Sequence, residues 1–434
     1  MPVPRSERTI VLLVAAVQFV NILDFVMVMP LGPDFAAALG IPAARLGFVA
    51  GSYTAAAAVA GLAGSFFLDR FDRRPALGIA MLGLVAGTAM GGLATGLPSL
   101  MAARVLAGMF GGPATSLSFS IIADVVPSER RGRAMGMVMA AFSIASVLGV
   151  PAGLELARHL GWRAPFFSVA ALGAVVALAA VFALPPMRDH LKTGTAGAGV
   201  VARKTSLAHL VAQPNVLVSW AMTFLVMMAG FILIPNMSAY VQQNLGFPRA
   251  QLGLLYLAGG VVSFFSTQFA GRAVDKLGSF RVGTFGTTLL IAAIYGSYVR
   301  MPPLWPVIWI FVLFMFSLSF RNVSYNTLTT RVPATGERAR FMSIQSAVQH
   351  FASASGAFLS ARLLTELPDH KLVGMARIAW ISIALTLTLP AMLWLVERAV
   401  KRRELSSKSA QPIDPVSGIG AAGPGMPRPL GAGR

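Results

Sequence analysis

The 434-residue chain contains no cysteine. That excludes a disulfide framework, a thiolate metal site and a thiol nucleophile, and it leaves the redox compartment unread. Charge is scarce as well: Asp, Glu, Lys and Arg make up 12% of the residues, against 56% hydrophobic. A soluble protein of this size could not cover its surface with so few charges. Acid is scarcer than base, 16 Asp and Glu beside 35 Lys and Arg, for a net charge of +19. Such an excess points to nucleic acid only when the basic residues cluster on polar faces. Here they punctuate long apolar runs, so no nucleic-acid partner is expected. The chain also lacks a phosphate-binding Gly-Lys motif and any convincing Ser/His or carboxylate/His catalytic set. No enzymatic activity, ATP coupling, cofactor or metal is expected.

What the chain has is bilayer-length apolar windows of roughly 20 residues. They fall near 9–31, 46–68, 76–96, 99–123, 134–157 and 164–185, and again near 214–241, 249–271, 281–299, 304–329, 340–364 and 376–397. Arg5 and Arg8 before the first window imitate a signal peptide. The run continues to about Leu31, carries Asp24 and lacks a small-residue cleavage site, so it reads as the first span. The expected fold is an all-α integral membrane protein of twelve transmembrane helices in two pseudo-symmetric six-helix bundles. Its expected parts are an N-terminal bundle at 1–185, a cytoplasmic linker at 186–213, a C-terminal bundle at 214–398 and a disordered cytoplasmic tail at 399–434.

Orientation follows from the basic residues. One side holds Arg45, Arg158, Arg163, Arg249, Arg300, Arg362, Lys371 and Arg377, and Arg104 and Arg321 lie within spans. The other 25 of the 35 fall on the side of the two chain ends. Both termini are therefore expected in the cytoplasm, with the chain in the cell's inner (cytoplasmic) membrane and the lipid bilayer as its surroundings. Its oligomeric state is not readable.

The two halves echo each other. Gly64 to Arg74 reads GSFFLDRFDRR, and Gly271 to Arg281 reads GRAVDKLGSFR, with Asp275 answering Asp69 and Lys276 answering Arg70. Val126-Pro127 followed by Glu129, Arg130, Arg133 and Met135 is matched by Val332-Pro333, Glu337, Arg338, Arg340 and Met342. At an offset of 207, Ser146 and Gly149 meet Ser353 and Gly356. Two matched hairpins per half indicate internal duplication, a common construction for transporters, which bind substrate between the halves.

On these residues the chain resembles the major facilitator superfamily over roughly 9–398, and within it the twelve-helix drug–proton antiporter branch, near the sugar-efflux and arabinose-efflux-like permeases. The family's hairpin between helices 2 and 3 is usually Gly-x-x-x-Asp-Arg/Lys-x-Gly-Arg-Arg/Lys. Asp69, Arg70, Arg73 and Arg74 match it, Ser65 replaces the first glycine and Asp72 the second, and the second copy keeps Gly271 and Gly278. Arg104 and Gly108 are similar to the family's Arg-x-x-x-Gly motif in helix 4. Gly149-Val150-Pro151-Ala152-Gly153 resembles the helix 5 antiporter motif with one residue inserted between Gly and Pro, and Gly161-Trp162-Arg163 follows. The resemblance implies alternating access, with a small organic compound (drug, sugar or metabolite) exported in exchange for protons, as in multidrug resistance. A facilitator or a proton-coupled importer is the alternative.

Gln18, Asn21 and Asp24 recur on one stripe of helix 1. Asp24 lies about 22 Å from the cytoplasmic side at 1.5 Å per residue. Arg104, roughly 8 Å into helix 4 from the other side of a core about 30 Å thick, reaches a similar depth. Burial favours the protonated acid and a nearby Arg104 the ionised one, so moving the arginine switches the proton. The same two residues also fit a static ion pair. Arg321, with Asn322 and Tyr325 on a polar span, suits an anionic or hydroxyl-rich substrate, or a gate held by interhelical hydrogen bonds. Gln349 joins this expected substrate-binding set. His350 suits proton relay or a packing hydrogen bond. As implied by the resemblance, Asp69, Arg70, Arg73, Asp124, Asp275 and Lys276 form the conformational gate, with Arg73 paired to Asp124. The three basic hairpin residues of the first half also serve as topology anchors. Gly149, Pro151 and Gly153 let helix 5 bend or pack closely.

Overall fold

The computed structural model describes residues 5–187, 207–300, 306–333 and 338–409, and twelve helical rods run through them. We number the rods in chain order. In the first half, α1 is Arg5–Val28, α2 Leu46–Phe67, α3 Arg73–Gly92, α4 Leu97–Val125 and α6 Arg163–Ala183. Between the last two, α5 runs from Ser128–Ile144 through a π turn at Ala145–Gly149 into Val150–Leu160. In the second half, α7 is Pro214–Phe231 continued by Ile234–Gln243, and α8 is Leu252–Leu277. Then come α9 Ser279–Tyr298, α10 Val307–Arg331, α11 Arg338–Leu363, and α12, which is Met375–Leu387 continued by Leu389–Ser409. Among the described residues the strands are confined to a two-residue ladder between α11 and α12, β1 Thr365–Glu366 with β2 Leu372–Val373.

Ten rods are long and apolar enough to cross a membrane; α9 and α11 fall short. The reason is polar content. α11 carries Arg340, Gln345, Gln349 and His350, and α9 carries Arg281, Thr284, Thr287 and Thr288. Such side chains are tolerated where neighbouring helices, not lipid, surround them. The breaks in α7 and α12 each precede a proline, Pro235 and Pro390. Proline donates no N–H and its ring clashes with the carbonyl four residues back, so the helix parts there.

The halves repeat one set of pairings. In the first, α1 packs on α5, α2 on α4, and α3 on α4 and α6; in the second, α7 packs on α11, α8 on α10, and α9 on α10 and α12. The matched glycines serve this repeat. A Cβ on Gly149 would sit 2.5 Å from Leu23 of α1, and one on Gly356 2.6 Å from the Met228 carbonyl of α7. Both glycines let a fifth rod lie against a first one.

One boundary is corrected. The segment expected to be disordered from 399 is helical as far as Ser409. Glu397 and Lys401 pair at i, i+4, and the basic run that follows suits a helix C-terminus. Residues 410–434, and residues 188–206 of the linker, lie outside the described residues.

The rods alternate, so one face of the bundle carries the two chain ends (the terminus side) and the opposite face is the far side. On the far side the halves touch closely. A Cβ on Gly47 of α2 would lie 2.2 Å from the Ala357 carbonyl of α11, and Phe48 and Phe358 pack ring to ring at 6.0 Å. Ser238 Oγ donates to Pro30 O at 2.9 Å, and the Ala43 amide donates to Glu366. Arg249, just before α8, grips Asp34 with two hydrogen bonds, Nε to Oδ1 at 2.7 Å and Nη2 to Oδ2 at 2.6 Å. Its Nη2 also reaches Leu154 O at 3.1 Å.

Candidate functional site

The first rod, α1, stays regular from Arg5 to Val28 because it contains no proline or glycine. The regular turn carries Asp24 onto the face that meets α3 and α4. Arg104 comes from the first third of α4. The depths expected from residue counting agree, and the two side chains touch: Arg104 Nη1 donates to Asp24 Oδ1 at 2.9 Å and to Oδ2 at 3.0 Å. Its Nη2 lies 3.4 Å from the Asp24 carbonyl. Both are sealed from solvent, Asp24 at 0% and Arg104 at 1% exposure. An ion pair so desolvated persists only because each charge is held by several groups.

A second ring of residues holds the pair. Thr88 Oγ1 of α3 lies 2.8 Å from Asp24 Oδ1 and can donate its proton there or to Leu84 O. The Arg104 guanidinium sits over the Tyr53 ring of α2, 4.5 Å from its centroid, an arrangement that stabilises a desolvated cation. Tyr53 donates its hydroxyl proton to Asn21 Oδ1 at 2.9 Å. Asn21 in turn donates to Gly111 O at 2.9 Å and to Thr115 Oγ1 at 2.7 Å. Four rods are thereby tied to one acid. Gln18, one turn toward the terminus side, is buried, and its Oε1 has no hydrogen-bond partner among the described residues. Thr88, Tyr53 and Thr115 were not expected from the sequence: nothing in an uncharged span residue marks which rod it faces.

The pair belongs to one half. At the 207-residue offset, Asp24 corresponds to Phe231 and Arg104 to Phe311. Phe25 stacks on Tyr53 at 5.1 Å and on Phe231 at 6.0 Å, joining the site to α7 across the boundary between halves.

In the second half the expected residues separate. Arg321 is 3% exposed, and its Nε and Nη2 donate to Asn322 Oδ1 at 3.3 and 3.1 Å. A Cβ on Gly230 would lie 3.8 Å from Arg321 Nη2, so the guanidinium faces α7 just before its break. Tyr325 is instead buried in the packed cluster with Trp220 and Val216. Gln349 is half-buried, with Nε2 3.7 Å from Met227 Sδ. His350 is half-buried beside it and is not joined to the Asp24 network by any described hydrogen bond.

At the terminus side Arg73 Nε donates to Asp124 Oδ2 at 3.2 Å, the pairing that the resemblance implied. Arg70, Asp275 and Lys276 are exposed, and the Asp69 side chain lies outside the described residues. Sequence reading missed what caps the third rod of each half. Asp72 accepts from Arg74 N at 3.1 Å and from Met187 N at 3.1 Å, tying the start of α3 to the segment after α6. In the second half Gly278 holds the cap position, and Glu397 of α12 reaches in to accept from Phe280 N at 2.6 Å. Each half thus places a carboxylate on a positive helix end. A π turn at Ala145–Gly149, which holds one more residue than an α turn, leads into Val150 and Pro151. Gly149 and Gly153 then lie against Leu23 and Met27, flanking Asp24.

The sequence model of the Major Facilitator Superfamily matches residues 14–357 and 219–423. A chloramphenicol resistance protein of Streptomyces lividans is 28% identical over 371 residues, 84% of this chain and 90% of that protein. A purine ribonucleoside efflux pump of Salmonella paratyphi B is 25% identical over 321 residues, 71% of this chain and 76% of the pump. Among solved structures, a bacterial homolog of the human lysosomal transporter Spinster superposes with a TM-score of 0.71 at 16% identity, covering 92% of this chain and 99% of that one. A D-xylose–proton symporter gives 0.67 at 19% identity, with 89% and 97% covered. At those identities the likeness is one of fold. The family match spans both halves: the chain belongs to the major facilitator superfamily and is a membrane transporter, not an enzyme.

Proposed function

We propose that this transporter exports a small organic compound in exchange for protons, and that Asp24 carries the proton. The observation that supports this reading is the desolvated Asp24–Arg104 pair, tied to α2 and α3 and linked by Phe25 to the other half. An ionisable group inside the membrane marks a candidate ion or proton pathway. A proton occupies Asp24 only while a moving rod holds Arg104 away, and substrate enters once Arg104 has returned to Asp24. Substrate and proton therefore compete for one cavity, which is the differential binding that drives alternating access. Arg321, Asn322, Gln349, Gln18 and Asn21 are the proposed substrate contacts, and the Arg73–Asp124 and Asp69 hairpin with its second-half counterpart forms the terminus-side gate. The basic excess on the terminus side supports a cytoplasmic position for both chain ends, with the protein in the cell's inner membrane. Chloramphenicol and purine ribonucleosides, from the names of the relatives, are the first compounds to try. The test is paired flux in proteoliposomes: substrate and protons cross in opposite directions, and Asp24→Asn stops the coupling.

The far-side contacts then correspond to a form closed to the outside, and the Arg249–Asp34 grip is the latch that holds it. The two side chains are 25% and 21% exposed. A pair so placed, charge-assisted and doubly bonded, contributes about 1–1.5 kcal/mol. Asp34→Asn is expected to raise the reaction rate of a cysteine placed at Ala50, which is buried at the interhalf contact, by about tenfold. The cysteine-free chain supplies a clean background for that labelling. An unchanged rate would remove the latch from the account.

A further inference from the structure

Arg321 poses a charge-balance problem that the chain does not solve by itself. It is a 3% exposed cation about 21 Å along α10 from Val307 at 1.5 Å per residue, which places it inside the membrane, in its terminus-side half. Its described hydrogen bonds go to Asn322, a neutral amide, and no described carboxylate pairs with it. The sequence explains why. Within the spans of the second half the acids are Asp275 and Glu397, both at terminus-side rod ends, and Glu397 is engaged by Phe280 N and Lys401. Asp24, the acid nearest mid-depth in the first half, is taken by Arg104. A buried cation without a counter-charge is costly, and such charges inside a membrane pair with one another or line a substrate path.

We propose that Arg321, with Asn322, forms an anion subsite that takes a carboxylate-bearing small organic substrate. The guanidinium offers a planar fork suited to a carboxylate. It faces Gly230 of α7, 3.8 Å from where a Cβ there would sit, and the next residue, Phe231, stacks on Phe25 of α1 at 6.0 Å. A carboxylate meets the fixed positive charge, and an aromatic body suits the Phe25–Phe231 contact at the boundary between the halves. The inference rests on the reading that substrate binds between the halves, and it adds the charge of that substrate.

The test uses the purified full chain in lipid nanodiscs with no proton gradient, and two probes of equal size, benzoate and benzamide, followed by ligand-observed NMR. Benzoate is expected to bind at least about tenfold tighter than benzamide. Arg321→Gln is expected to remove that preference, and Arg321→Lys, which keeps the charge but not the fork, to retain part of it. The Lys variant keeps the test decisive if the Gln variant does not fold. Equal binding of both probes, binding of neither, or a preference that survives Arg321→Gln would overturn the proposal. Displacement of benzoate by an equal concentration of chloride would overturn the organic-anion assignment. The benzoate-to-benzamide ratio reads the charge at Arg321 and not the proton on Asp24, so failure here leaves proton coupling standing. Coupling that survives Asp24→Asn would likewise leave the anion subsite standing.

Discussion

Replacing Arg104 with Met should lower the stability of the folded bundle by about 3–5 kcal/mol and abolish transport. The substitution keeps most of the side-chain volume and removes both hydrogen bonds to Asp24, which is 0% exposed. What remains is an acid with Thr88 as its one described side-chain donor. It must either stay charged without a partner or take up a proton, and each state is less favourable than the pair. The loss also strips the cation from the Tyr53 face. Asp24→Asn combined with Arg104→Met removes both charges and leaves a neutral site that Thr88 can still hydrogen-bond. The double variant should therefore recover much of the thermal stability lost by the single one and still carry no coupled flux. Thermal unfolding of the four members of that cycle in one detergent measures the coupling between the pair. Additive losses would mean that the pair is held for reasons other than its charge.

Gly108→Val is the second large effect. A Cβ at Gly108 would lie 2.3 Å from the Tyr53 carbonyl oxygen and 3.1 Å from Ala56 Cβ, so α2 must move off α4. Overpacking of this kind costs about 1–3 kcal/mol or more, and here the obstacle is backbone, which cannot rotate away. Tyr53 would move with α2, taking its ring from Arg104 and its hydroxyl from Asn21. Both unfolding temperature and transport should fall. Gly136→Ala provides the contrast. Nothing lies within 4 Å of a Cβ there, on the regular part of α5. A helical glycine so placed gains about 0.5–1 kcal/mol when changed to alanine. If both substitutions behaved alike, the close approach of α2 to α4 would not be what Gly108 provides.

These effects show where sequence reading reaches and where it stops. Hydropathy and rise per residue placed Asp24 and Arg104 at one depth because both sit on uninterrupted rods counted from clear ends. Charge type alone then suggested that they meet. The same arithmetic could not place Thr88, Tyr53 or Thr115, because rotation about the rod axis is set by packing and their uncharged side chains carry no signal. Nor could it join Asp34, in a short helix between spans, to Arg249, 215 positions away at the far-side start of another span. The π turn at Ala145–Gly149 was not expected from the sequence; Gly149 at its end and Gly153 beyond it both lie against α1. Tyr325 shared a polar span with Arg321 but faces the packed interior of the second half. Helical residues one turn apart share a face, yet only the neighbouring rods decide whether that face is cavity or core.

The most direct test of the account is proton movement in proteoliposomes loaded with a pH-sensitive dye, comparing wild type with Asp24→Asn as candidate substrates are added. The account predicts substrate-dependent proton flux, opposite in direction to substrate, in wild type and none in Asp24→Asn that still reconstitutes as a folded protein. Coupled flux that survives in the variant would move the proton site away from Asp24, with His350 the next residue to test. Substrate transport by the wild type without any proton movement would contradict the antiport reading outright.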